Sequence, residues 1–233
     1  MSIITVSHNY PRYSMVISRL TTKNRRPKQN IGNFSSCKME TSFRYNSLLQ
    51  KDFMYWLEFD TDVLSYDTPG IAVNYQSNGK EKSYTPDFQV IRYQKKQIIE
   101  VKSKKTVESE KYNRLYQMLS GLYDNTGWTF VVLTEAEIRR EPILSNIKLL
   151  YGYARESFSI DEYRDCWEIS RSNALASLAE IFQILDQHRI RRNVLFKLLF
   201  HNLVELDIQQ PITANSTIVS VVEKIDWRIL FNG

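Results

Sequence analysis

Asp87, Glu100 and Lys102 fall within one stretch, SYTPDFQVIRYQKKQIIEVKSKK, at residues 83–105. Two neighbouring carboxylates suit a hard divalent cation such as Mg²⁺, which takes oxygen ligands from one or two acids, water and a phosphate. An ion held that way readies a water and neutralises charge on a phosphodiester, and an adjacent ammonium stabilises the pentacoordinate oxygens. On an exposed hairpin the same three residues are ordinary solubilising charge. What decides between these readings is whether the chain gathers them in one place.

The local pattern predicts that it does. Residues 88–91 and 97–101 read as antiparallel strands around a basic turn centred near Gln94 and Lys95. In that register Asp87 lies opposite Lys102 and Gln89 opposite Glu100, with facing Cβ atoms roughly 5 Å apart. Glu100 and Lys102 share one face and Ile99 and Val101 the other. The polar trio then converges on one side while the apolar side meets the core.

The surrounding elements fit a mixed sheet covered by helices. Leu48, Leu49, Phe53, Trp56 and Leu57 recur at helical spacing within residues 45–59, and Ser47 or Asn46 can cap the start. Residues 63–88 alternate apolar and polar side chains, with Asn78-Gly79 as a hairpin signal. A helix is expected over about 107–123, and WTFVVLT reads as a buried strand. Helix, antiparallel strands, helix, strand gives an α/β domain. Beyond Thr134 a connector with short helices is expected through Ile160. SRSNALASLAEIFQILDQH and RIRRNVLFKLLFHN read as two helices, and IQQPITANSTIVSVVEK is Pro-interrupted and β-branched. That order fits a small winged helix-turn-helix domain; padding of the first domain is the plainer alternative.

Composition narrows the classes. The 233 residues are 42% hydrophobic, enough for a core, with 31 Lys and Arg against 26 Asp and Glu. The mild basic excess concentrates in residues 1–40, where Arg12, Arg19, Lys23, Arg25, Arg26, Lys28 and Lys38 oppose Glu40 alone. This stretch reads as a polar arm, able to follow DNA phosphates, thread into a neighbouring subunit or remain solvated. Cys37 and Cys166 are too few and too distant for a disulfide framework or a structural zinc site. No run of roughly eighteen apolar residues suggests a membrane span, and the first residues lack an export-signal pattern. The expectation is a cytoplasmic protein.

Pro86-Asp87 followed by Glu100-Val101-Lys102 matches the PD-(D/E)xK nuclease pattern. More specifically, RYNSLLQKDFMYWLEFDTDVLSY, YTPDFQVI and IIEVKSKK together resemble the N-terminal domain of TnsA over about residues 40–135. TnsA is the restriction-enzyme-like subunit of transposons whose transposase is split between two proteins. DQHRIRRNVLFKLLFHNLVELDIQQPIT is similar to that family's winged-helix domain. The resemblance implies a restriction-endonuclease-like mixed sheet flanked by helices, then a mainly α winged-helix domain. The implied division is a basic arm at 1–40, a catalytic domain at 41–150 and a partner-binding domain at 151–233. It implies nicking of the non-transferred strands at the 5′ ends of the element, in prokaryotic cytoplasm and at the nucleoid when bound to DNA. The implied partners are transposon-end DNA, a TnsB-like DDE transposase and a TnsC-like AAA+ ATPase. Asp87 and Glu100 would bind Mg²⁺ or Mn²⁺, the Val101 carbonyl is a further ligand, and Lys102 would assist the attacking water.

One position departs from the family pattern. Its first-helix motif ends in glutamate, but here it reads Ser47-Leu48-Leu49-Gln50. An amide brings no charge and accepts no proton, so a site tuned for more acids weakens. Glu58 lies about 12 Å further along a helix that rises 1.5 Å per residue, too far to substitute. Three accounts stand: an engineered replacement that traps a complex, a natural weakened paralogue, or compensation by Glu100, since some relatives carry glutamine there and keep the helix glutamate.

Other charged and aromatic residues have plainer expectations. Arg189, Arg191 and Arg192 open a helix, where cations are mildly unfavourable, and are expected to meet phosphate or an acidic protein groove. Lys104 and Lys105 extend the basic run from Lys102. His8, His188 and His201 are expected to be structural, and Trp56, Trp128, Trp167 and Trp227 to be core.

Overall fold

The computed structural model describes residues 30–77 and 79–225. Its first elements are the strands β1 (Gly32–Ser36) and β2 (Thr41–Tyr45), an antiparallel hairpin in which Phe34 faces Phe43. Both rings are buried. The expected arm at residues 1–40 therefore extends too far, because these two phenylalanines anchor its last part to the core. Arg12, Arg19, Lys23, Arg25, Arg26, Lys28 and His8 lie outside the described residues, as do Asn78 and Trp227.

Helix α1 (Leu48–Phe59) starts where the Ser47 hydroxyl accepts the Gln50 N–H. Its buried apolar side is Phe53, Met54 and Leu57; Leu48, expected in the stripe, is exposed. Three polar residues are buried instead, and each is satisfied. Asp52 pairs with Arg139 and Lys148. Glu58 accepts from the Ser36 and Tyr66 hydroxyls and from the N–H groups of Cys37 and Lys38. Gln50 reaches Asp87. Helix α1 thus ties three neighbouring elements together.

The main sheet has the order β3-β6-β7-β8. β3 (Val63–Asp67), β6 (Phe88–Arg92) and β7 (Lys96–Val101) are antiparallel neighbours, and β8 (Thr129–Leu133) runs parallel to β7. Parallel pairing needs a crossover. It is supplied by α2 (Lys104–Val107) and α3 (Glu110–Asp124); α3 is the helix expected over about 107–123, starting three residues later, and the one-turn α2 before it was not expected. Ile99 and Val101 pack with α1 on one face, while Ile98 packs with Tyr116, Leu119, Tyr123 and Phe130 on the other. Cover on both faces explains the unbroken IIEV run. A separate hairpin, β4 (Val73–Ser77) with β5 (Lys80–Tyr84), turns through Gly79 at φ 69°.

Beyond β8, α4 (Glu135–Ile138) and α5 (Ile143–Tyr151) lead to a second core. That core is built from α6 (Ile160–Ser172), α7 (Leu178–Gln187), α8 (Asn193–Phe200) and the hairpin of β9 (Val204–Leu206) with β10 (Ile218–Val221). Ser177 adds a bridge to Thr217 beside it. The single helix expected across SRSNALASLAEIFQILDQH is two helices, split between Ser172 and Leu178. Ser159 with Glu162, and Ser177 with Glu180, form capping boxes that start α6 and α7. Arg191 makes a bidentate pair with Glu162, and Arg192 pairs with Asp186. These arginines bind helices to one another, so the expectation that they meet an external groove is corrected; Arg189 is exposed at φ 60°. Among the described residues no helix is long and apolar enough to cross a membrane.

Candidate active site

The acids and the lysine meet where β6 begins and β7 ends. The hairpin register differs from the expected one by two residues: Phe88 faces Ile99 and Gln89 faces Ile98, which sets Asp87 against Glu100 rather than Lys102. The turn is earlier than expected, closed by the Arg92 N–H on the Lys95 carbonyl. A shift of two preserves the strand's alternation, so the three side chains still share a side. Asp87 N–H donates to Glu100 Oε2 at 3.2 Å, and Val101 N–H donates to Asp87 Oδ2 at 2.8 Å. Lys102 Nζ lies 2.5 Å from Glu100 Oε1 and 3.7 Å from Asp87 Oδ2. Asp87 is set by its neighbours too. Gly70 N–H donates to the Pro86 carbonyl, and a Cβ on Gly70 would stand 2.7 Å from the Phe88 carbonyl oxygen. Only glycine permits that approach.

The trio is not an open patch. Glu100 has a relative exposure of 2%, whereas the Asp87 and Lys102 side chains are 15% and 34% exposed. The Glu100 side of the strand is covered by α3 and its tyrosines, and Lys102 is the most exposed of the three. Burial first, then the Asp87 charge, pushes the Glu100 carboxyl above its ordinary range, although Lys102 opposes this. Burial pulls Lys102 down, but Asp87 and Glu100 together outweigh it and hold the ammonium above its usual range.

Two residues not singled out in the sequence belong to the site. Tyr84 stands at the end of β5, and its phenol is pushed up by burial and then by the Glu100 carboxylate. Tyr116 on α3 is pushed up to about 12, by burial first and then by Glu100. Tyr84 lies three residues before Asp87, inside the stretch that carries the acids, whereas nothing in the sequence around Tyr116 marks it. Lys104 and Lys105 are exposed on α2. His201 is structural in its setting: burial, then Lys197 and Lys38, lower it to about 4. Trp56, Trp128 and Trp167 are half-buried rather than fully core, and Trp56 and Trp167 donate to the Ile138 and Val222 carbonyls.

The donor set fits a hard cation in part. Asp87 and Glu100 offer adjacent carboxylates balanced by a single ammonium, which leaves the group one negative charge in excess. A strand residue directs its N–H and C=O to the same side, so the Val101 carbonyl faces the side of Asp87. Gln50 presents its amide nitrogen, not its oxygen, to Asp87 at 2.6 Å. Among the described residues no three His, Cys, Asp or Glu side chains converge as ligands. Two acids are what the site has.

Residues 60–135 match the family model for the TnsA-like endonuclease N-terminal domain. That segment holds Asp87, Glu100, Val101 and Lys102, while Gln50 lies before it. No curated protein matches the chain.

Proposed function

We propose that the chain is a TnsA-like DNA endonuclease subunit of a split transposase, nicking the non-transferred strands at the 5′ ends of a transposon. The observation that carries this reading is the meeting of Asp87, Glu100 and Lys102 at one pair of strand ends, inside the segment that matches the endonuclease family. In this proposal Asp87, Glu100 and the Val101 carbonyl hold Mg²⁺ or Mn²⁺. Such an ion, when bound, supplies positive charge at the scissile phosphate and acidifies water. Lys102 orients the attacking water and stabilises the oxygens that gain charge as one P–O bond forms and another breaks. The helices α6–α8 with the β9–β10 hairpin support a winged-helix reading, and its task in this scheme is to dock a TnsB-like DDE transposase or a TnsC-like AAA+ ATPase.

The test is reconstitution with the transposase partner, transposon-end DNA and Mg²⁺, with strand breaks mapped at nucleotide resolution. Metal-dependent breaks at the 5′ ends that vanish in Asp87→Ala support the reading; breaks that persist in Asp87→Ala sink it. A second reading, a scaffold that grips end DNA without cutting, is favoured by the Gln50 amide on Asp87. It predicts end binding with no metal-dependent nick.

A further inference from the structure

Gln50 is held at both ends of its amide. Its carbonyl oxygen accepts the Asn46 N–H at 2.7 Å, and its NH₂ donates to Asp87 Oδ1 at 2.6 Å. Turning the amide over would aim an oxygen at a carboxylate and an N–H at an N–H, losing both bonds. The residue is only 9% exposed, so water is poorly placed to repair them. The orientation is therefore fixed, and it faces the wrong way for a metal ligand.

We infer that Gln50 is a latch on Asp87: its amide occupies the carboxylate oxygen that a cation would take, so a divalent ion must displace it before binding. This rests on the metal-dependent reading above. In this role Gln50 is a positioning residue that competes with the ion, not a member of its shell. Asp87 Oδ2 is already engaged by the Val101 N–H, so Oδ1 is the oxygen at issue. A glutamate at position 50 keeps an acceptor for Asn46 but loses the donor to Asp87. Two carboxylate oxygens would then face each other across a hydrogen-bond distance, an arrangement that calls for a cation or a proton between them. Exchanging one NH₂ for one oxygen converts a site closed without an ion into one that demands an ion. Alanine removes the competitor while adding no charge, which separates a latch from a mere missing acid.

The experiment is a Mn²⁺ titration of the chelator-stripped full chain, with free Mn²⁺ read by electron paramagnetic resonance, for wild type, Gln50→Ala, Gln50→Glu and Asp87→Asn. Charged hydrogen bonds of this kind correspond to about tenfold in affinity. Gln50→Ala is expected to bind about tenfold more tightly than wild type, Gln50→Glu more tightly still, and Asp87→Asn least. Weaker binding by Gln50→Ala would make the amide a ligand and overturn the latch. Equal binding, or no binding by any variant, overturns it as well. A measurement without substitution guards against misfolding. In the wild-type protein, the Gln50 side-chain NH₂ protons should exchange several-fold faster with saturating Mg²⁺ than in chelator, and unchanged exchange with Mg²⁺ bound refutes the latch. The affinity order can hold in a chain that never cuts DNA. Conversely, cutting at transposon ends by a chain whose Gln50→Ala variant binds Mn²⁺ less well sinks the latch alone.

Discussion

Asp87, Glu100 and Lys102 are two acids sharing one ammonium below the surface, whereas Glu162 with Arg191 and Asp186 with Arg192 are one-to-one pairs at the surface. The second set needs nothing further: each charge is matched, water screens the rest, and the pairs fix the starts and ends of helices. In the first set Glu100 is almost fully buried beside a like charge, so the arrangement is unbalanced by itself. A count of charged residues could not tell the two apart. Burial combined with an unmatched charge does so.

The largest expected effect tests this contrast directly. Lys102→Ala should lower end nicking about a hundredfold or more in the reconstituted reaction, the scale expected when a preorganised charge at the transition state is lost. Arg191→Ala in the same assay should leave the strand breaks at the same nucleotides. If the two variants behave alike, the contrast fails. Gly70→Ala comes next, because its new Cβ would stand 2.7 Å from the Phe88 carbonyl and push the start of β6. Its predicted cost is about 1–3 kcal/mol in denaturant unfolding, together with loss of nicking through a displaced Asp87.

The pH response should have opposite signs in the two regions. Glu162 is lowered from 4.5 to about 2, chiefly by the Arg191 hydrogen bonds. A depressed carboxyl contributes stability that is complete above its unfolded value and lost as pH falls from about 4.5 to about 2. Glu100 is raised, chiefly by burial. Its contribution is complete below the unfolded value and lost as pH rises through the folded one. Thermal melts of the chelated protein should therefore lose their acid-side slope in Glu162→Gln and their slope above pH 4.5 in Glu100→Gln. Unchanged slopes in either variant would refute the corresponding assignment. The smallest effect is expected for Arg192→Ala, whose exposed pair should leave the melting midpoint within error.

Much of the site was legible because it depends on local periodicity. Proline-aspartate before one strand and acid-x-lysine at the end of the next put the trio on one side, and a register error of two residues could not scatter it. Neither the burial of Glu100 nor Tyr116 was legible, because both depend on α3 crossing from β7 to β8. Gln50 was marked by the family motif, but the direction of its amide was not legible, and the roles of Asp52 and Glu58 were hidden because a polar residue on an apolar helix face looks exposed until its partners, up to 96 residues away, are known. Helix α6 and the split before α7 were written in the sequence. Ser159-Ile-Asp-Glu162 and Ser177-Leu-Ala-Glu180 are capping boxes, and their signal was outweighed by the continuous helical composition around them. Helix α1 of the first core and the α6–α8 group of the second are joined by α5, whose last residue, Tyr151, packs on both.

Helix α1 carries Gln50 in its first turn and Phe59 at its last residue, where Phe59 stacks edge-on with Phe200 and its carbonyl accepts from Asn202. Its twelve residues contain neither glycine nor proline, so it has no weak joint to absorb a push and spans about 18 Å as a stiff rod. A tilt of the carboxyl-terminal helices at one end would, along so stiff a rod, reach the carboxylate at the other. A protein docking far from the acids would thus have its hand on them.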